Sequence, residues 1–194
     1  MLNISKKNLI VVTVAIVVAL AGGIAQATPI QWTVASGGNG HYYERMSSAN
    51  VSWTNARTAA QGLSYLGNSG DLATLTSAAE NTFVTNFVTN GATGTSWIGG
   101  TQPSGSEPAG GWTWVTGEAW SYTNWAAHEP NNGNGGEESL ELYSSGTWND
   151  LPDNWGASSP GRIGGYVVEF VPEPATMSLL GIGGLALLRR RRRK

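Results

Sequence analysis

The chain has no cysteine in its 194 residues. That excludes a disulfide framework, a thiolate-bound zinc and a cysteine nucleophile. Charge is scarce, at 12% of residues, and positive charge is scarcer still once its placement is considered. Of 11 Lys and Arg residues, Lys6 and Lys7 lie near the start and Arg189 to Lys194 close the chain, leaving only Arg45, Arg57 and Arg162 between them. Residues 28–171 therefore hold 3 bases against 12 acids, a formal net charge of −9. A domain so acidic is not expected to bind nucleic acid or an anionic membrane through its own surface, and its field favours a bound cation. Histidine is rare too: His41 and His128 read as ordinary strand or surface positions and make a weak case for zinc.

The two long apolar runs stand at the ends. Residues 1–27 pass from Lys6 and Lys7 through an apolar stretch, Leu9 to Leu20, to Ala25-Gln26-Ala27. This is the pattern of a signal peptide with an A-x-A cleavage site, so export is expected, with a mature chain starting near Thr28. At the far end, Pro172-Glu173-Pro174 precedes an apolar run, Ala175 to Leu188, and then the arginine cluster. A helix of that run rises about 21 Å against a hydrocarbon core of roughly 30 Å, which suits transient membrane insertion better than a permanent transmembrane helix. The basic cluster is expected to stay on the cytoplasmic side. The three-part tail, residues 172–194, closely resembles the PEP-CTERM sorting signal of Gram-negative bacteria. That resemblance implies cleavage near the Pro-Glu-Pro motif by an exosortase and delivery to the cell surface or the extracellular space, often alongside exopolysaccharide.

Between these ends lie about 144 residues, enough for one domain with a core of its own. Residues 28–39 read as a lead-in. Gly40 to Met46 is a candidate first strand. From Trp53 the apolar positions Trp53, Ala56, Ala60 and Leu63 recur at helical spacing, with Gly62 or Gly67 as the stop. A second helix is marked by the capping box Ser77-Ala78-Ala79-Glu80 and the apolar face Phe83, Val84, Phe87 and Val88, ending at Asn90-Gly91. Short strand candidates follow at Trp97 to Gly99, Trp112 to Val115, Leu140 to Tyr143, Thr147 to Asn149 and Tyr166 to Phe170. The stretch from Gly99 to Ser139 has little regular pattern, yet it carries four tryptophans, which argues for an ordered functional loop. The tryptophans are expected to pack the core and that loop.

One segment stands out chemically. Residues 128–138 read HEPNNGNGGEE, and Trp148-Asn149-Asp150 follows shortly after. Crowded carboxylates repel unless a positive charge sits among them, and calcium takes six to eight oxygens of the carboxylate, amide and backbone kinds offered here. On composition alone, a solvated loop is the competing reading. A pair of carboxylates drawn from Glu129, Glu137 and Asp150 would also suit a glycoside hydrolase.

The ordered motifs HYYE, DLATLTSAAENTFV (71–84), WIGG (97–100), GWTWVTGE (111–118), NWAAHEPN (124–131), WND and VVEF (167–170) resemble a C-type lectin-like domain over residues 40–171. The resemblance implies an α+β fold, with two helices on small antiparallel sheets and a long ligand-binding loop. It departs from the animal pattern at Ser139 and Val168, which stand where two cysteines would fall. It further implies that Glu129, Asn131, Glu137, Asn149 and Asp150 are the five ligands of a Ca2+ ion that also binds carbohydrate. Pro130 is implied to follow a cis peptide, and glycines 133, 135 and 136 let the loop return Glu137 to the site. Glu-Pro-Asn goes in this family with mannose-type glycans. Asn132 and Glu138 fall near positions of an auxiliary calcium, but Gln102 stands where an acid would be wanted. Metal ligation accounts for all three carboxylates, so the expectation is a binding protein and not an enzyme. The alternative is a protein-binding or structural surface domain in which calcium only stabilises the loop.

Overall fold

A computed structural model describes residues 28–89, 92–103, 107–133 and 135–173, with backbone alone for residues 87–89. The leader, the end of the second helix at Asn90-Gly91, Pro174 and the apolar tail lie outside the described residues. Among the described residues, no helix is long and apolar enough to cross a membrane.

The chain runs β1 (Ile30–Gln31), β2 (Tyr42–Ser47), α1 (Trp53–Gln61), β3 (Ser64–Tyr65), β4 (Asn68–Leu72), α2 (Ala78–Thr89), β5 (Thr95–Thr101), β6 (Thr113–Trp114), β7 (Ser139–Leu142), β8 (Trp148–Leu151), α3 (Trp155–Ser158) and β9 (Ile163–Phe170). The strands join in the order β1-β2-β9-β5-β7-β8, with β4 also on β9 and β6 on β5. The architecture is α+β as expected, but the sheet is mixed: β5 and β9 run parallel, Ser96 opposite Gly165. The other pairings are antiparallel.

Both helices start where the sequence places them. Ser52 caps α1, its Oγ accepting from Asn55 N at 3.2 Å, and Trp53, Ala56 and Ala60 are buried on one face. Trp53 also donates its indole N–H to the Ile98 carbonyl at 2.8 Å, tying the helix to β5. At α2, Ser77 Oγ accepts from Glu80 N at 3.2 Å, half of the expected box. The other half differs. Glu80 turns into the protein and accepts from the backbone N–H and hydroxyl of Thr76 (2.7 and 2.8 Å) and from Asn39 and Tyr43.

Strand alternation feeds two cores, one on each face of the sheet. Trp97 and Val168 join α1, Leu72, Ile163 and Phe170 on one side, while Ile98 and Val167 join Tyr43, Leu75, Val84, Leu140, Leu142 and Trp148 on the other. Burial on both faces explains why β9 reads as an apolar run with no strict alternation. The residues ahead of position 40 are part of the fold: Ile30 and Gln31 pair with β2, and Trp32 stacks on Phe83 at 5.6 Å.

The long loop is held by its tryptophans. Trp112, Trp114 and Trp148 are buried, and Trp120 and Trp125 pack around them with ring centroids 4.6 to 6.3 Å apart. Trp148 N donates to Asn124 O and Ala126 N to Trp148 O, each at 2.8 Å, so residues 124–126 lie against the start of β8. That contact brings the following segment, from Glu129, beside Asp150.

Candidate functional site

Asn149 and Asp150 are consecutive on β8, opposite Glu141 and Leu140 of β7. Adjacent strand positions send their side chains to opposite sides, and these two take different partners. The Asp150 carboxylate accepts from Asn131 N (3.1 Å) and Asn132 N (2.8 Å). The Asn149 amide donates from Nδ2 to Glu141 Oε2 at 3.0 Å. Glu137, buried at 3% exposure, accepts from Gly133 N at 2.6 Å, and its own N–H donates to Asn132 Oδ1 at 3.1 Å.

The connecting loop needs its glycines. Gly135 and Gly136 adopt φ of 70° and 73°, in the left-handed region. A Cβ on Gly133 would stand 2.6 Å from Asn131 Oδ1, so any other residue there would make the Asn131 side chain shift. Asn132 and His128 also have positive φ (46° and 71°), and the Glu129–Pro130 peptide is cis.

Electrostatics single out Glu129. Its carboxyl is pushed up to about 7 from an ordinary 4.5, by burial first, then by the charge of Asp150 and the hydrogen bond that the protonated carboxyl makes with it, then by Glu137, against an opposing effect of Arg162. Its Oε2 is buried, and no donor reaches it while the carboxyl is ionised. A buried carboxylate oxygen without a donor, facing two more carboxyl groups, fits a cation that supplies the missing positive charge. Glu129 thus lies near enough to Asp150 and Glu137 to feel the charge of both, and the backbone of Asn131 reaches Asp150, though the three acids are not drawn together as tightly as a second polar group in the fold. The Asn149 side chain has Glu141 of β7 as its partner, one position along β8 from Asp150.

The auxiliary set does not assemble in the same way. Gln102 is buried and spends its amide N–H groups on the carbonyls of Pro108 (3.2 Å) and Gly110, while Glu138 is exposed. The glutamine ties down residues 108–110.

A second polar cluster lies near the first strands. Ligand atoms of His41, Glu80 and Glu169 lie within 4.8 Å of one another. Here His41 departs from its reading as an ordinary position, since its Nδ1 is 2.5 Å from Glu169 Oε1. Glu169 Oε2 accepts from Thr74 N (2.9 Å), and the Tyr43 hydroxyl lies within reach of both Glu80 and Glu169. Each carboxylate oxygen of this cluster already has a donor, in contrast to Glu129 Oε2. Burial lowers the pKa of His41, but its hydrogen bond and charge attraction to Glu169 outweigh this and leave it raised. Burial raises the carboxyl of Glu169. The cluster fastens α2 and β9 to β2.

The family model described as "Lectin C-type domain" matches residues 49–158, more than half of the chain. The chain belongs to the C-type lectin domain family. The model for the PEP-CTERM protein-sorting motif matches residues 170–193. Among characterised relatives of this C-type lectin domain protein, halomucin of Haloquadratum walsbyi is 38% identical over 149 residues, 68% of this chain and 1% of halomucin. Bovine pulmonary surfactant-associated protein D is 37% identical over 81 residues, 42% of this chain and 21% of that protein. The chain thus spans a small part of these relatives' lengths. Among solved structures, the EPNH mutant of the lectin CEL-I, a protein of Cucumaria echinata, superposes with a TM-score of 0.57 at 27% identity, covering 69% of this chain and 91% of that one.

Proposed function

We propose that this C-type lectin domain binds carbohydrate through a calcium ion held by Glu129, Asn131, Glu137, Asn149 and Asp150. The observation that carries the reading is Glu129, whose buried Oε2 has no donor and whose charge is opposed by two neighbouring carboxyl groups. Three carboxylates offset a divalent charge, and two asparagine side chains add neutral oxygens. Calcium, when bound, supplies open coordination positions that two adjacent sugar hydroxyls fill in place of water. The carboxylates accept the hydroxyl protons, and the asparagine amides donate to the hydroxyl lone pairs. Asp150, already gripped by two backbone N–H groups, and Glu137, gripped by Gly133, hold their positions without a partner sugar.

Glu129-Pro130-Asn131 supports mannose-type glycans as the ligand class. The sorting motif supports export, recognition of the tail by an exosortase, transient membrane insertion through it, and display at the cell surface or in exopolysaccharide. Retention of the full chain on a mannose column, with and without chelator, tests the reading. Glu129→Ala and Asn149→Ala are expected to abolish retention while the circular dichroism spectrum stays that of the parent. Calcium-dependent retention of either variant contradicts the site. Calcium binding without glycan retention moves the assignment to a protein-binding or structural surface domain.

A further inference from the structure

Glu141 is a fully buried acid on β7 that belongs to no ligand set, and four donors converge on it. Arg162, just ahead of β9, donates from Nε to Oε1 (3.0 Å) and from Nη2 to Oε2 (2.7 Å). Thr95 of β5 donates its hydroxyl to Oε1 at 2.6 Å, and the fourth donor is Asn149 Nδ2. Arg162 is itself fixed: it donates to the Tyr143 hydroxyl at 3.0 Å, and its guanidinium lies 5.8 Å from the centre of that ring. Three strands and the residue before β9 thus hold one carboxylate against one amide.

The consequence for Asn149 is directional. An amide side chain presents an oxygen on one side and a nitrogen on the other, and exchanging them costs little unless a neighbour distinguishes donor from acceptor. A carboxylate gripped by a guanidinium fork offers only acceptors, so nitrogen must face Glu141. The carbonyl Oδ1 and the second N–H are then the groups left for other partners. Those are the two groups that the proposed calcium and sugar contacts require of this residue.

We infer that Glu141, held by Arg162, is a positioning residue that sets the amide orientation of Asn149 and thereby tunes calcium affinity. The inference rests on the calcium reading of the site. Removing a residue that orients a metal ligand commonly weakens metal binding by about 10- to 100-fold. In Glu141→Gln the side-chain shape is kept, but the acceptor-only face is lost and Arg162 loses its fork partner.

The test is calorimetric titration of calcium into the full chain, its Glu141→Gln and Asn149→Ala variants and the double variant, each checked for folding in chelator. Glu141→Gln is expected to weaken calcium binding about tenfold or more, yet to change the residual affinity less than about twofold when Asn149 is already alanine. The Asn149 side-chain amide resonance is expected to move in Glu141→Gln before any calcium is added. A folded Glu141→Gln variant that binds calcium as the parent does overturns the inference and leaves the calcium site standing. Equal losses with and without Asn149 also overturn it, because they make the ion pair a packing element only. Should Glu141→Gln fail to fold, Arg162→Lys decides, since it keeps the charge and loses the fork. It is expected to bind calcium about three- to tenfold more weakly, and unchanged affinity there overturns the inference. A parent chain that binds no calcium removes the site reading itself.

Discussion

Glu129 is where the cost of assembling this site is concentrated. Burial and two neighbouring carboxyl groups hold its pKa near 7, so the cation-free domain keeps a proton there that an unfolded chain would lose near 4.5. The sign follows from linkage. A carboxyl raised on folding makes the cation-free domain less stable as pH climbs from about 5 through 7, because ionisation is then penalised in the folded state alone. Calcium takes the ionised form, so its affinity is expected to fall as pH drops below about 7, with a proton released on binding. Calcium titrations at about pH 6, 7 and 8 check this, and Glu129→Gln should flatten the dependence while weakening binding at least about tenfold. The residues proposed for the site could be named from the sequence, because Glu129, Asn131, Glu137, Asn149 and Asp150 carry the types and spacing that the resemblance implies. Glu141 and Arg162 were not. Their meaning comes from a contact 21 residues apart in the chain and from a register between β7 and β8 that no local pattern states. His41 escaped for the same reason, since its partner lies 128 residues away.

The elements are joined by polar clasps as much as by apolar packing. Tyr43 of β2 reaches Glu80 of α2 and Glu169 of β9 with one hydroxyl, and it is accompanied by Asn39. Tyr43→Phe keeps the ring in the core and withdraws that hydroxyl from two buried carboxyl groups. It is expected to lower unfolding stability by about 1–3 kcal/mol in denaturant titration, with glycan binding unchanged. His41 adds a pH term of definite sign. Its pKa is raised in the fold, so its contribution is present below its unfolded value of about 6.5 and is lost as pH rises through the folded one. At this scale both helices could be read, because a serine cap and apolar periodicity are local signals. The β3–β4 hairpin could not. Its turn places Leu66 and Gly67 at φ of 50° and 84°, and leucine is not a residue that announces a left-handed turn. The parallel pairing of β5 with β9 was hidden as well, since short strands separated by long loops carry no sign of direction. The two residues of β1 were too few to read against the apparent lead-in.

For the whole molecule, the absence of cysteine shifts the burden of holding the loop onto tryptophan packing, and the proposed cation is expected to share it. An ion that binds only the folded state stabilises it by about 2.7 kcal/mol at a hundredfold excess over its dissociation constant. For a domain of this size the melting temperature is expected to rise by roughly 5–10 °C on adding calcium. Thermal denaturation in calcium and in chelator measures the shift. Single-site glycan binding is expected to be weak, with avidity arising from many copies displayed together. The most direct test of the central claim is calorimetric titration of calcium into the full chain, followed by a glycan array read with and without chelator. Saturable calcium binding together with chelator-sensitive binding to mannose-type glycans is the predicted result. A chain that binds no calcium, or that binds its glycans equally well in chelator, contradicts the account.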